Sequence, residues 1–135
     1  MKLIDMHCDT LMKLLEQPEK SLAELDAEVN LPGLKQAGSM AQFFACFTNL
    51  MDYPQPPERA YDDAYRTVLR MIERMKEEIE KAPQELALAT GAQEILDNDA
   101  AGKISAFLTV EEGGILNGRM ERLHDLYDQG IRLIT

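Results

Sequence analysis

A chain of 135 residues with 45% hydrophobic and 28% charged side chains carries enough apolar material for a packed core, which excludes a disordered or collagen-like polymer. Its formal net charge of -10 argues against a nucleic-acid backbone or an anionic membrane surface as partner, because both demand clustered cations. No uninterrupted apolar run is long enough to span a bilayer, and no basic and apolar leader precedes the first predicted strand, so the expected location is the cytoplasm.

The first element is a short strand within Lys2 to Thr10, Lys-Leu-Ile-Asp-Met-His-Cys-Asp-Thr. Side chains two apart on a strand point the same way, so Asp5, His7 and Asp9 are expected on one face and Ile4, Met6 and Cys8 on the other. His7 and Asp9 in that geometry can present an imidazole nitrogen and a carboxylate oxygen to one divalent metal. Taken alone, a His-x-Asp pair fits a buried histidine beside a turn residue equally well. Thr10 can cap a helix over Leu11 to Glu16, which Pro18 cuts off, and a second helical piece is expected over Ser21 to Glu28.

Asn30 to Gly38 reads as a turn region leading into a continuous apolar run, Met40 to Asn49, of the kind buried on both faces of a parallel sheet. At its end Thr48, Asn49 and the loop Asp52-Tyr53-Pro54-Gln55-Pro56-Pro57 are either a pocket wall or a proline-stiffened connector. From Glu58 to Ala82 the apolar residues Ala60, Ala64, Val68, Ile72, Met75 and Ile79 recur at helical steps, which predicts a long amphipathic helix over the sheet. Asp62 with Arg66 and Glu77 with Lys81 are spaced as charge pairs along it.

Glu85 to Ala89 is expected as a brief extended segment. Thr90 with Gln93 forms a capping-box pattern for a helix to about Ala101, closed by Gly102. Ile104 to Val110 is a strand delivering Glu111 and Glu112 just ahead of Gly113 and Gly114, which are expected to let the backbone turn sharply. A helix over Gly118 to Gln129 then places His124 on a surface, and Ile131 to Thr135 begins one more strand. This alternation predicts an α/β fold of parallel strands with covering helices. Cys8 and Cys46, in adjacent predicted strands and without a framework spacing, read as reduced, buried thiols, Cys8 turned away from His7 and Asp9.

Four stretches together carry a resemblance. They are Ile4-Asp5-Met6-His7-Cys8-Asp9-Thr10, then Asn30-Leu31-Pro32-Gly33-Leu34-Lys35 leading through Gly38 into Ala41-Gln42-Phe43-Phe44, then Val110-Glu111-Glu112-Gly113-Gly114, and last Gly130-Ile131-Arg132-Leu133-Ile134-Thr135. In this order the sequence resembles the membrane (renal) dipeptidase family of zinc peptidases. The resemblance implies a (βα)8 metal-dependent hydrolase barrel with two zinc ions that cleaves dipeptides. It further implies that His7 and Asp9 ligate the first ion and that the glutamate before Gly-Gly bridges the two ions, which by motif position is Glu112. Glu111 is then an extra acidic neighbour, and the two exchange faces if the strand register is one residue off. Asp5 is expected to accept a structural hydrogen bond and not to ligate.

The histidines for the family's second ion and its acid/base aspartate would lie beyond Thr135. A complete barrel of this type takes about 250 residues, so residues 1–135 are expected to be its N-terminal half, truncated within an element. Such a chain should hold one ion weakly, hydrolyse no dipeptide alone, and self-associate through unpaired barrel edges. Two other readings stay open: an amidohydrolase-type metallohydrolase acting on another amide, which more often carries His-x-His on the first strand, and a non-catalytic interaction module using the long acidic helix.

Overall fold

The computed structural model describes residues 2–53 and 56–135; Pro54 and Gln55 of the expected pocket wall lie outside the described residues. Five strands, β1 (Leu3–Asp5), β2 (Ser39–Phe47), β3 (Leu86–Leu88), β4 (Ile104–Glu111) and β5 (Ile131–Ile134), form one sheet in which every pairing is parallel. The helices are α1 (Thr10–Glu16), α2 (Leu31–Ala37), α3 (Pro57–Lys81), α4 (Ala92–Ala100) and α5 (Met120–Asp128). Parallel neighbours need crossover connections, and helices supply them throughout.

β2 and β4 are the spine. Seven in-register pairs run from Ala41 opposite Ser105 to Phe47 opposite Glu111. The alternate pairs Phe44 with Leu108 and Cys46 with Val110 face the main core, where they meet Leu11, Leu14, Val68, Ile72, Met75 and Leu126 from the covering helices. The other face carries Ala41, Phe43 and Phe107, with the two rings stacked at 4.5 Å and 6°. That face is closed at its lower end by α4, whose Ile95 packs on this cluster while Asn98 donates to the Ser105 hydroxyl at 2.9 Å. Both faces of the central strands are therefore covered, as the unbroken apolar run in β2 predicts.

β3 and β5 both pair with β4. β3 lies opposite Ile104–Ala106 and β5 opposite Leu108–Val110, so the two short strands share one edge of β4 end to end. Leaving β3 aside, the order β1, β2, β4, β5 with outer helices is that of one part of a (βα)8 barrel.

Four local expectations are corrected. Residues 30–38 do not form a turn alone but contain α2: the Asn30 side chain accepts from Gly33 N at 2.9 Å, Pro32 occupies the first turn, and Gly38 ends the helix at φ 70°. Ser21 to Glu28 is a series of turns and not a helix, because side chains, one distant and one local, take up its backbone groups. Leu22 N donates to Glu78 Oε2, and Asn30 Nδ2 donates to the carbonyls of Leu25 and Ala27, while Leu22 and Leu25 stay buried. At α4 the capping acceptor is Glu94, which takes the amides of Thr90 and Gly91, and not Gln93. The pairs along α3 also differ: Asp63 binds Arg66 and Glu78 binds Lys81, while Asp62 is taken by Arg122.

Glu78 is a buried polar tie between α3 and the turns after α1. It is 2% exposed, accepts from Leu22 N at 2.5 Å, and meets Arg74 Nη1 at 2.7 Å and Lys81 Nζ at 2.8 Å. Arg74, itself 7% exposed, also donates to the carbonyl of Lys20. Deleting one partner of such a buried set leaves an uncompensated charge, so Glu78→Ala should cost about 3–5 kcal/mol in urea unfolding, whereas Glu77→Ala, on the exposed side, should cost less than about 1 kcal/mol.

Candidate metal centre

At the C-terminal rim of the sheet, three side chains converge. β1 ends at Asp5, but the chain continues alongside β2: Cys8 N donates to Phe43 O at 3.0 Å and Ala45 N donates to Cys8 O at 2.9 Å. This lateral tie places Cys8 in the main core and leaves His7 and Asp9 on either side of it free to point away. The strict alternation predicted for residues 4–9 does not hold. A register shift separates Leu3 from Ile4, and Ile4 and Met6 are 46% and 55% exposed. Asp5 Oδ1 accepts from His7 N at 3.3 Å, the hydrogen-bonding role expected for it.

His7 Nε2 stands 3.2 Å from Asp9 Oδ1 and 3.3 Å from Glu111 Oε2. One donor atom from each of the three lies within 4.8 Å of the others. Zinc takes nitrogen and oxygen ligands at about 2.1 Å, which separates tetrahedral ligand atoms by about 3.4 Å, so the two measured spacings suit a shared divalent ion. A neutral imidazole and two carboxylates are also a suitable donor set for it. All three side chains are about half exposed, which leaves the cluster open to solvent and to a ligand. His124, the other histidine, is exposed on α5, away from this group.

The geometry brings Glu111 into the cluster and turns Glu112 out of it. Glu111 is the last residue of β4, opposite Phe47, on the sheet face that carries Phe43 and Phe107. Glu112 leaves the strand in the left-handed region, φ 89° and ψ 70°, and its Oε1 accepts from Gly114 N at 3.0 Å. The expected turn residues and the actual one are thus exchanged. Gly113 and Gly114 do not adopt positive φ; side-chain ends crowd them instead. A Cβ on Gly114 would sit 2.5 Å from Glu112 Oε1 and 2.9 Å from Leu50 Cδ1, and one on Gly113 would sit 3.1 Å from Ile134 Cγ2. Counting alternate residues back from Glu111 through Thr109 to Phe107 is the sequence signal that separates the two glutamates, but it decides only once the face of Phe107 is known.

Next to the cluster, Thr48 N donates to Glu111 O at 3.4 Å. Thr48, Asn49, Asp52 and Tyr53 line a cavity of about 340 Å³ with Met12 and Leu15 of α1, so the described part of the expected wall does border a pocket.

Solved structures share this fold. The dipeptidase AC, a metallopeptidase of family M19, superposes with a TM-score of 0.83 at 21% identity over 99% of this chain and 42% of its own. A metallopeptidase from Rhodobacter sphaeroides, solved with a phosphinate mimic of the dipeptide L-Ala-D-Ala, gives 0.81 at 20% identity over 97% of this chain and 44% of its own. The probable dipeptidase PvdM from Pseudomonas aeruginosa gives 0.71 at 15% identity, over 82% and 29% respectively. These likenesses establish the fold, that of a metallopeptidase barrel, and this chain spans less than half the length of each. The family itself follows from the sequence match: all of residues 1–135 fit the model of membrane dipeptidase (peptidase family M19), and the chain belongs to that family.

Cys8, between the two clustered residues, is distinguished from them by burial. Desolvation pushes its thiol from 9.0 up to about 11, and burial pushes Cys46 up to about 12. A raised thiol pKa favours the protonated folded state, so this contribution to stability is complete below about pH 9 and is lost as pH rises through 11. At pH 8 both thiols should react with a disulfide reagent at under about a hundredth of the rate seen in the unfolded chain, with full reaction on adding denaturant.

Proposed function

We propose that this chain is the N-terminal part of a zinc-dependent dipeptidase, with His7, Asp9 and Glu111 as its metal ligands. The observation that carries the reading is the meeting of these three side chains, from the segment after β1 and the end of β4, at one rim of a chain that belongs to the membrane dipeptidase family. Glu111 replaces Glu112 as the preferred ligand because its carboxylate already faces His7, whereas that of Glu112 is held by the Gly114 amide. Zinc suits the mixed imidazole and carboxylate set.

A bound ion would supply Lewis acidity, polarising a scissile carbonyl and lowering the pKa of water at neutral pH. The chain's own part is to hold that charge in place. Asp9 and Glu111 offset it, and His7 is oriented by its backbone bond to Asp5. A cavity of about 290 Å³ lined by His7 and Asp9 themselves, with Thr10, Lys13 and Val29, offers room for a small ligand beside the proposed ion. Among the described residues only one such group of metal-ligating side chains is found, so a two-ion site would draw its remaining ligands from further chain.

No helix among the described residues is long and apolar enough to cross a membrane. Free, buried Cys8 and Cys46 support a reducing compartment such as the cytoplasm. Self-association through the barrel edges is supported by the exposed Leu3, Ile4 and Met6 near β1, and by an apolar cleft of about 220 Å³ at β5 bordered by Leu123, Tyr127 and Ile134.

Zinc titration followed by calorimetry tests the ligand set. Glu111→Gln should weaken binding at least tenfold and Glu112→Gln less than about threefold; the reverse order would return the role to Glu112. Against a dipeptide panel, the 135-residue chain should show no zinc-dependent turnover, while a longer enzyme containing it should lose turnover on chelation and regain it with zinc. Light scattering of the isolated chain should give a mass above 15.2 kDa; a sharp monomer would remove the edge-association reading.

A further inference from the structure

Arg122 is a buried cation that the proposed chemistry does not use. It is 8% exposed, on the first turn of α5, and both of its terminal nitrogens are engaged. Nη1 donates to Ile115 O at 2.5 Å and to Tyr61 O at 3.2 Å, Nη2 pairs with the Asp62 carboxylate, and the guanidinium lies 4.6 Å above the Tyr65 ring. Tyr65 in turn bonds the Asp125 carboxylate. Tyr61, Asp62 and Tyr65 all belong to α3, so the arginine joins three elements: α5, α3, and the 3-10 turn Gly113–Leu116 that follows the metal cluster.

That turn is seated by Ile115, which is fully buried in the main core, and its backbone is tied on two sides. It begins after Glu112, a non-glycine residue in left-handed conformation, and such a conformation persists only when its surroundings over-determine it. Thr135 O restrains it from one side, accepting from Glu112 N at 3.2 Å and Gly113 N at 2.8 Å. Arg122 restrains it from the other through the Ile115 carbonyl. We propose that Arg122 is a positioning residue of the metal centre: by pinning the turn to α3 it fixes the end of β4 and hence the direction of the Glu111 carboxylate. The inference rests on Glu111 being a ligand. A planar fork is required, because one ammonium cannot serve two carbonyls, a carboxylate and an aromatic face together.

The test uses the 135-residue chain with Arg122→Met, Arg122→Lys and, as a control for plain destabilisation, Leu126→Ala in the core beneath the same helix. Amide exchange at Gly113, Ile115 and Asn117 and zinc affinity by calorimetry are read at a temperature where all variants are folded. Arg122→Met should speed exchange at these amides at least tenfold and weaken zinc about tenfold, with Arg122→Lys between it and the unaltered chain. Leu126→Ala should lower Tm while changing neither. If Arg122→Met is unfolded, the Lys variant carries the comparison. Unchanged exchange, unchanged zinc affinity, or the same two effects from Leu126→Ala would each overturn the role of Arg122 alone. An unaltered chain that binds no zinc would overturn the metal assignment and this inference with it.

Discussion

The site depends on lateral hydrogen bonding between parallel segments that are remote in sequence. β2 is the common partner: on one side it holds the segment carrying His7 and Asp9 through Cys8, and on the other it holds β4 along seven residue pairs ending at Glu111. The first strand and β4 do not pair with each other directly. The meeting of their ligands is set by where β2 anchors each neighbour, and a one-residue slip on either side would turn a ligand into the core or away from the rim. The sheet faces enforce that register. Phe44, Cys46, Leu108 and Val110 must meet the helices, which leaves Phe47 and Glu111 on the opposite face.

Much of this arrangement is legible in the residues. The helical spacing from Ala60 to Ile79, the apolar run of β2 and the glycine-bounded last helix all give elements close to those observed, because each is long enough for its period to dominate. The failures are short segments. Ser21 to Glu28 has helical spacing of Leu22 and Leu25, yet a carboxylate on α3 takes the Leu22 amide, and no local pattern announces that. Pro32 and Gly33 are ordinary turn residues, but a local cap from Asn30 places both inside α2.

The centre shows the same division. His7 and Asp9 are recognisable from their spacing together with the later glutamates and glycines. Which glutamate joins them is a question of backbone conformation. Two glycines in a row suggest that they make the turn, and the structure assigns the positive φ to Glu112 instead. At the glycines a Cβ would press on the ends of the Glu112, Leu50 and Ile134 side chains. Consecutive small residues signal crowding as readily as curvature, and sequence alone does not separate the two.

The placement of α4 bears on traffic. By lying under Phe43 and Phe107 on the face opposite the other helices, it forms a floor at the strands' starting ends. His7 is left open at the opposite rim, where the loops that follow β2 and β4 emerge. Variation in those loops would tune admission without disturbing the foundation below.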